Sequence, residues 1–331
     1  MTPEWTSPST ATVMENTAVN TVVLAVKAVD ADEGRNSYVE YSLDQGGQGG
    51  QGSEQQPFVL GPVDGLLRVG AGLDRETVSR YALRVTARDR GYPPRSSTMT
   101  FVVSVLDEND NAPMFDPRHY SATIPENATI GLSVLQRNVG RRLPFLQSVS
   151  IGRKRGGFSV QVSATDVDAG LNGKIRYALA SGDPGRDFTI AEDTGIIRVA
   201  KTLNYERRHQ YLLTVQAEDS GQEVRYDSCT VSITVKDVND NPPVFLDSPY
   251  VAWVMEDRGR GHPRASSQVV ARVSAHDADS PPHNTLSYRL KEGDKSVFAV
   301  NDSTGDVYLL RSLDRETQAS YILVIAAIDS G

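Results

Sequence analysis

The feature that most constrains the fold of this chain is its internal repetition. Five short, mostly acidic motifs recur in the same order along the 331 residues. In the first copy 13 residues separate Glu76 from Asp89, and the same interval separates the corresponding residues of the other two copies. A fixed order of motifs at fixed intervals indicates tandem copies of one structural unit.

The motifs are defined by residue type. They are a Glu followed by Asn or Asp, an Asp-x-Asp pair, an acidic triplet after Leu, an Asp that ends an apolar run, and Asp-x-Asn-Asp-Asn before Pro. In that order, the copies begin at Glu15, Glu126 and Glu256; at Asp30, Asp166 and Asp277; at Asp74, Asn204 and Asp314; at Asp89, Asp219 and Asp329; and at Asp107 and Asp237.

Between the motifs, apolar residues alternate with polar ones. Tyr81, Leu83, Val85 and Ala87 are one such series, and the second copy repeats it. Alternation with a period of two, rich in β-branched and aromatic residues, predicts half-buried strands. Short strands separated by Gly, Pro and Asp predict a β-sandwich. No segment sustains a 3.6-residue period, so we expect little helix.

Composition argues against several classes of protein. A net charge of −8, from 42 acidic and 34 basic residues, argues against a nucleic-acid-binding surface. Cys229 is the single cysteine, so no disulfide can form within the chain. Because Cys229 aligns with the core register of Met99, we expect a buried, unreactive thiol. No run of about 18 apolar residues that could span a membrane is present.

The paired acids invite a comparison with catalytic carboxylates, which perform acid–base chemistry. Here the acids recur once per copy with the same neighbours, whereas an active site is expected to be unique. The sequence has no nucleophile elbow, zinc-binding helix motif or phosphate-binding loop, and its five histidines show no ligand spacing. We therefore predict that the chain is not an enzyme.

Several motifs carry a resemblance to a known family. DENDNAP, DVNDNPP, LDRET, ATDVDAG and the PEN at residues 125–127 resemble the signature of cadherin repeats, over essentially the whole chain. The segments TIAEDTGIIRVAK and FLDSPY are most similar to the giant cadherins of the Fat and Dachsous type. The resemblance implies an all-β fold of tandem Greek-key β-sandwich repeats joined by calcium-binding linkers.

Three repeats are predicted on this basis. The first spans residues 1–112, the second 113–242, and the third 243–331, where the third is expected to stop before its last strand. We call the connection at 107–113 the first linker and the connection at 237–243 the second linker.

One interval between motifs is 25 residues longer in the second repeat than in the first. Glu126 and Asp166 are 40 residues apart, whereas Glu15 and Asp30 are 15 apart. The excess fits a basic segment at about 137–161, which has six bases and no acid. It is either a surface loop that binds an acidic partner or glycan, or a disordered insertion such as a translated intron. We favour the second interpretation.

The acidic motifs suit calcium, which takes six to eight hard oxygen ligands in a tolerant geometry. An Asp-x-Asp pair in an extended segment places both carboxylates on one face. By resemblance to cadherins, each linker pocket holds about three calcium ions and takes ligands from two successive repeats.

The resemblance assigns the ligands residue by residue. At the first linker they are Glu15, Asp74, Glu76, Asp107, the carbonyl of Glu108, Asn109, Asp110 and the carbonyl of Asn111, with Asp166, Asp168, the carbonyl of Asn172 and Asp219 from the second repeat. At the second linker they are Glu126, Asn204, Glu206, Asp237, the carbonyl of Val238, Asn239, Asp240 and the carbonyl of Asn241, with Asp277, Asp279, the carbonyl of His283 and Asp329 from the third repeat.

Half-sites are expected at both ends of the chain, to be completed by neighbouring repeats. One comprises Asp30, Asp32, Asn36 and Asp89; the other comprises Glu256, Asp314 and Glu316.

Two departures from the family pattern concern the second linker. Asn204 stands where the pattern has Asp, so we predict weaker binding of the outermost ion there. Pro281-Pro282 precedes His283, and we expect it to alter the loop that presents the His283 carbonyl.

The resemblance implies calcium-dependent cell–cell adhesion. The expected partners are other cadherins on neighbouring cells, of the same or the Fat and Dachsous type, with calcium making the repeat array rigid. The expected location is the extracellular side of the plasma membrane, within a larger single-pass membrane protein whose anchor lies outside this segment. The alternative is that these are spacer repeats that set length and stiffness without making the adhesive contact.

Overall fold

The structure is a computed structural model, and it describes residues 1–44, 57–134, 160–256 and 268–331. The strands form three successive sets. The first repeat has β1 Glu4–Trp5, β2 Thr10–Met14, β3 Val22–Ala25, β4 Ala28–Val29, β5 Val39–Leu43, β6 Phe58–Leu60, β7 Leu66–Val69, β8 Arg80–Asp89 and β9 Ser96–Leu106, with one 3-10 turn at Gly34–Ser37. The second repeat has β10 Met114–Phe115, β11 His119–Pro125, β12 Val160–Gln161, β13 Ala164–Thr165, β14 Arg176–Ser181, β15 Phe188–Ile190, β16 Ile196–Val199, β17 Gln210–Glu218 and β18 Tyr226–Lys236. The third repeat has β19 Val244–Phe245, β20 Gln268–Arg272, β21 Ala275–His276, β22 Ser287–Glu292, β23 Phe298–Val300, β24 Asp306–Leu309 and β25 Val324–Ile328.

Each of the first two repeats contains a four-stranded and a three-stranded sheet. In the first repeat the strand orders are β2-β9-β8-β5 and β3-β7-β6, and in the second they are β11-β18-β17-β14 and β12-β16-β15. In each four-stranded sheet, the strand that comes first in the chain runs parallel to the strand that comes last in the chain: β2 to β9, and β11 to β18. The other pairs are antiparallel. This topology confirms the predicted Greek-key sandwich.

The alternating residues supply the core between the two sheets. Leu83 and Val85 of β8 and Phe101 and Val103 of β9 are at most 1% exposed, while their neighbours point outward. Trp5 packs edge-on against Phe101, with ring centroids 5.3 Å apart. Burial of this kind, at about 25 cal/mol per Å² of apolar surface, is the main force that holds each repeat together.

Cys229 lies in the corresponding core of the second repeat, as expected. Its side chain faces Val215 across the β17–β18 pair, and the residue is 3% exposed. Burial raises the pKa of the Cys229 thiol to about 12, which keeps it in the weakly nucleophilic thiol form.

The register on either side of the extra basic segment shows where the strand is interrupted. Ser133 bridges Arg198, and the Val134 N–H donates to the Ile197 carbonyl at 3.2 Å. Val160 then pairs with the same Ile197, so Val134 and Val160 take neighbouring strand positions. In the first repeat, β3 runs through the corresponding positions, with a shift of register between Val22 and Leu24. The inserted segment predicted at about 137–161 lies outside the described residues except for Val160 and Gln161, which form β12, and its bounds stay a prediction.

The third repeat has the three-stranded sheet β20-β24-β23 but only the pair β22-β25 on the opposite side, among its described residues. Residues 251–256, which align with the end of β11, form no strand. Val251, Trp253 and Met255 of this segment are largely exposed, and Trp253 is 94% exposed. In the second repeat, β18 lies between the corresponding strands β11 and β17.

Candidate metal centres between successive repeats

The Asp-x-Asp pairs adopt one geometry in all three repeats. The first Asp of each pair accepts a hydrogen bond at Oδ1 from the backbone N–H of the second, at 2.9 to 3.0 Å. The other oxygen of each first Asp is buried and has no hydrogen-bond partner: Asp30 Oδ2, Asp166 Oδ2 and Asp277 Oδ2. A buried carboxylate oxygen without a partner carries a large desolvation cost. Repeated three times, it indicates a position made for a cation.

Glu15 and Glu126 connect the ends of β2 and β11 to two acidic motifs at once. Glu15 is 1% exposed and accepts the backbone N–H groups of Arg75 at 2.8 Å and Glu108 at 2.7 Å. Glu126 is 2% exposed and accepts those of Tyr205 and Val238 at 2.7 and 2.8 Å. Each buried glutamate therefore holds the acidic triplet beside the start of the linker.

Burial and neighbouring carboxylates raise the pKa of two acids in these sites. Burial raises the pKa of Glu126, and Asp240 and Glu206 act in the same direction, although two backbone hydrogen bonds oppose them. Burial likewise raises the pKa of Asp166. A bound cation would reverse both effects because it favours the ionised carboxylate.

The structure gathers the predicted ligands into groups of three carboxylates whose oxygens lie within 4.8 Å of one another. The groups are Glu15, Asp74 and Glu76; Glu76, Asp110 and Asp168; Glu126, Glu206 and Asp237; Glu206, Asp240 and Asp279; and Glu256, Asp314 and Glu316. Two of them combine carboxylates of successive repeats, through Asp168 at the first linker and Asp279 at the second.

Asparagines in each linker also reach across to the following repeat. Asn109 Nδ2 donates to Asp219 Oδ2 at 3.0 Å, and Asn111 Nδ2 donates to Asp168 Oδ1 at 2.7 Å. The second linker repeats both contacts, from Asn239 to Asp329 at 2.9 Å and from Asn241 to Asp279 at 2.6 Å. The Asn109 Oδ1 atom is buried without a partner, and so it is a further candidate ligand.

Asp107 and Asp237 hold the loop that follows each Asp-x-Asp pair. Asp107 accepts the Ala169 N–H at 3.0 Å and the Asn172 side-chain amide at 2.8 Å. Asp237 Oδ2 accepts both the N–H and the hydroxyl of Ser280, at 2.6 and 2.5 Å. The Asp237 Oδ1 atom is buried without a partner.

The loop turn ahead of His283 has the same hydrogen bond as its counterpart in the second repeat. The Asn172 N–H donates to the Ala169 carbonyl at 3.2 Å, and the His283 N–H donates to the Ser280 carbonyl at 2.9 Å. The turn hydrogen bond is thus present in both loops, and the effect of Pro281-Pro282 on the carbonyl of His283 stays a prediction.

Asn204 and Asp74 occupy the same position and both accept the backbone N–H three residues on, but their other partners differ. Asp74 accepts the Thr77 N–H at 3.0 Å and the Thr77 hydroxyl at 2.8 Å, and these bonds lower its pKa. Asn204 instead donates from Nδ2 to Glu206 Oε2 at 2.9 Å. The neutral Asn204 amide thus adds no negative charge to the site, and its hydrogen bond occupies an oxygen of Glu206, a predicted calcium ligand.

The two half-sites have the same local structure as the linker sites. Asp89 Oδ1 accepts the N–H groups of Gly91 and Arg95 at 2.9 and 3.0 Å, near Asn36. In the third repeat, Glu256 Oε2 accepts the Arg315 N–H at 3.2 Å, as its counterparts do in the other repeats.

Four residues contribute to these sites without having been predicted. Asn16, in left-handed backbone at φ 56°, donates to Asp110 Oδ2 at 2.8 Å. A Cβ added at Gly221 would lie 2.4 Å from Asn109 Nδ2, so a larger residue in this Asp-Ser-Gly turn would push against the Asn109 side chain. Ser280 bonds Asp237 as described, and the Arg75 guanidinium lies among carboxylates of the first linker. The glycine two residues after each single Asp was a visible repeat; the side-chain direction of Arg75 left no sequence signal.

The donor set fits calcium. It consists of carboxylate, amide and carbonyl oxygens without sulfur, several of them buried and unpartnered, which suits a hard divalent cation with many oxygen ligands.

Comparison with known proteins defines the class. The cadherin domain model matches residues 9–106, 147–236 and 263–331, so the chain belongs to the cadherin family. Its repeats are those of adhesion-type proteins, and cadherin domains generally bind calcium between repeats.

Among its relatives, the chain is 40% identical to protocadherin Fat 4 of Mus musculus over 99% of its length and 35% identical to protocadherin Fat 1 of Homo sapiens over 99%. The predicted likeness to Fat-type cadherins is confirmed. The chain spans about 6% of the length of these relatives.

Two solved structures share the fold. Mouse cadherin-23 EC22–24 superimposes with a TM-score of 0.75 at 27% identity, covering 100% of this chain and 94% of that one. The cis-dimer structure of protocadherin gammaB7 EC3–6 gives 0.71 at 28% identity, covering 99% and 74%. Within the described residues, no helix is long and apolar enough to cross a membrane.

Proposed function

We propose that calcium binds at the first and second linkers, about three ions at each, and makes this part of a cadherin ectodomain rigid. The ligands are those assigned to each linker from the sequence. The observation that carries the proposal is that both linkers hold buried carboxylate oxygens without partners, at Asp166, Asp237 and Asp277, together with groups of three carboxylates whose oxygens lie within 4.8 Å of one another. Such an arrangement is unfavourable unless a cation is shared.

The size of the repulsion explains why calcium controls stiffness. Two carboxylates about 4.8 Å apart repel by roughly 3.5 kcal/mol at an effective dielectric constant of about 20. Several such pairs lie at each linker and include groups from both repeats. Without calcium this repulsion favours separation of the repeats, whereas shared ions attract both sides. Extracellular calcium-binding modules bind in a range of roughly 10⁻⁴–10⁻³ M.

We further propose that the array takes part in calcium-dependent adhesion to other cadherins, of the same kind or of the Fat and Dachsous type. It would do so on the extracellular side of the plasma membrane, within a larger single-pass protein. Support comes from the Fat-type relatives and from the cis-dimer named for protocadherin gammaB7. The alternative is a spacer segment, which the same linkers would serve equally well.

Calcium-dependent rigidity and calcium-dependent adhesion are tested by two separate measurements. Calcium titration followed by small-angle X-ray scattering is expected to narrow the distribution of shapes in the intact chain. Asp168→Asn should weaken this response, whereas Asp193→Asn, which removes the same charge from an exposed turn outside the carboxylate groups, should not. An equal response in both variants would contradict the assignment of Asp168.

Adhesion is tested by coating beads with the chain and measuring aggregation with calcium and with chelator. Aggregation that requires calcium, with itself or with a Fat-type cadherin, supports the adhesive function. Stiffening by calcium without any aggregation supports the spacer alternative.

A further inference from the structure

Arg75 occupies an unusual place among the acidic residues of the first linker. Its Nη2 atom lies 2.5 Å from Glu76 Oε1, and its Nε atom forms an ion pair with Asp107 Oδ1. The same Nη2 donates to the carbonyl of Val167 at 3.2 Å. Glu76 and Asp107 belong to the first repeat and Val167 to the second, so one guanidinium joins the two repeats.

The backbone and surroundings of Arg75 hold it in that place. Its N–H is bonded to buried Glu15, and its side chain is 18% exposed. Asp107, its partner, is itself bonded to Ala169 and Asn172 of the second repeat. Arg75 therefore adds a charged contact to an existing junction, and a planar guanidinium suits such bridging better than a flexible ammonium.

The second linker lacks this contact. Tyr205 stands at the position of Arg75, and its ring packs against His209 at 5.3 Å between centroids. Asp237, the counterpart of Asp107, keeps one buried oxygen without a partner and belongs to a group of three carboxylates. Asp107 belongs to no such group, and Arg75 lies against it.

The summed charge of the predicted ligands and the residue at the position of Arg75 is the same at the two linkers. Eight predicted carboxylate ligands at the first linker together with Arg75 give −7, and seven at the second linker with Tyr205 also give −7. The neighbouring pair Asp74-Arg75 is thus replaced as a unit by Asn204-Tyr205. The second linker has neither the positive charge of Arg75 nor the negative charge of Asp74, so the net charge is unchanged.

We propose that Arg75 is a built-in cation of the first linker: it ties the first and second repeats together without calcium and competes with calcium for Glu76 and Asp107. The inference rests on the proposed calcium sites for the competition, but the tie itself is a property of the calcium-free chain. The first linker should therefore stay more ordered than the second when calcium is removed.

The test uses spin-label distance distributions in the full chain. Labels on Val63→Cys and Leu212→Cys, both exposed, report the first linker; Leu212→Cys and Val269→Cys report the second. Buried Cys229 should remain unlabelled. In chelator, the first-linker distribution of the otherwise unchanged chain should be narrower than that of Arg75→Tyr, which introduces the residue present in the second repeat.

Calcium titration of the same proteins supplies the second readout. Arg75→Tyr should raise calcium affinity at the first linker by about 5-fold or more, within the range typical of coupled sites. Arg75→Lys keeps the charge but cannot bridge in the same way, so it should broaden the distribution in chelator with a smaller gain in affinity. If Arg75→Tyr fails to fold, Arg75→Lys alone decides.

The opposing result is clear. A chelator distribution that is unchanged in both Arg75 variants overturns the tie, and unchanged calcium affinity overturns the competition. Failure of the proposed function looks different: no calcium would bind at either linker, while the chelator measurements would still report on Arg75.

Discussion

Asn204 stands where the first repeat has Asp74, and restoring the carboxylate tests whether charge limits calcium binding at the second linker. In Asn204→Asp, an oxygen replaces the amide nitrogen that now lies 2.9 Å from Glu206 Oε2. A favourable hydrogen bond thereby becomes a contact between two carboxylates. The hydrogen bond from the Arg207 N–H to the side-chain oxygen, at 2.7 Å, can be kept.

The magnitude follows from Coulomb's law. Charge centres about 4 Å apart repel by about 1 kcal/mol in water and about 4 kcal/mol at an effective dielectric constant of about 20. Both side chains are exposed, so we expect a loss of about 1–2 kcal/mol in the calcium-free state. Calcium relieves this repulsion on binding, so affinity for the outermost ion should rise by roughly 5- to 30-fold.

The two effects have opposite signs, and each needs its own assay. Hydrogen exchange on peptides from β17 and β18 in chelator gives the stability of the second repeat. Calcium titration gives the affinity. The matched reverse change, Asp74→Asn, should weaken binding at the first linker.

An Asn204→Asp variant with unchanged affinity would refute the idea that charge at this position limits binding. A gain of stability in chelator would refute the computed repulsion, because it would mean that the two carboxylates do not face each other.

Further predictions concern the interior and the inserted segment. Cys229, with a thiol pKa of about 12, should not react with a disulfide reagent at pH 8 until the chain is unfolded, and rapid reaction of the folded chain would contradict its burial. Leu213→Ala should cost about 2–5 kcal/mol in the free energy of unfolding of the second repeat, because Leu213 is 0% exposed, with the first repeat as internal control in hydrogen exchange. Deletion of residues 135–159 should leave β11, β16 and β18 as protected as before, since Val134 and Val160 already occupy neighbouring positions; loss of protection would give the segment a structural role. In chelator, the raised pKa of Glu126 means that the folded state binds a proton more tightly than the unfolded state, so the contribution of Glu126 to the stability of the second repeat should rise as the pH falls from neutral towards the ordinary glutamate pKa of 4.5, and a contribution that falls over that range would contradict this.

The fold and the membership of the acidic groups could be predicted because both depend on repeated local signals. Alternating apolar residues fix which face of a strand is buried, and the acidic motifs lie at the strand ends that meet at a linker. The meeting of Asp168 with Glu76 and Asp110 follows from that placement. The missing carboxylate at Asn204 was equally visible, because one letter departs from a repeated pattern.

The contribution of Arg75 was not predictable, because a long side chain at the rim of a site can point to solvent or to the acids with the same sequence. The start of the inserted segment was ambiguous for a different reason. Val134-Leu-Gln before it and Val160-Gln-Val after it carry similar patterns, so either frame completes a plausible strand. The bounds of the segment therefore stay a prediction.

The parallel pairing of β11 with β18 determines how the second repeat bears load. After the short strand β10, the chain runs along β11, and it leaves the sandwich along β18; β11 and β18 lie side by side from His119 to Pro125. Tension applied to the chain pulls these strands in opposite directions along their length. Their hydrogen bonds are then loaded together in shear, and none can open alone as in a zipper. Mechanical strength within a repeat is thus set by backbone pairing, whereas the calcium proposed above would act at the joints between repeats.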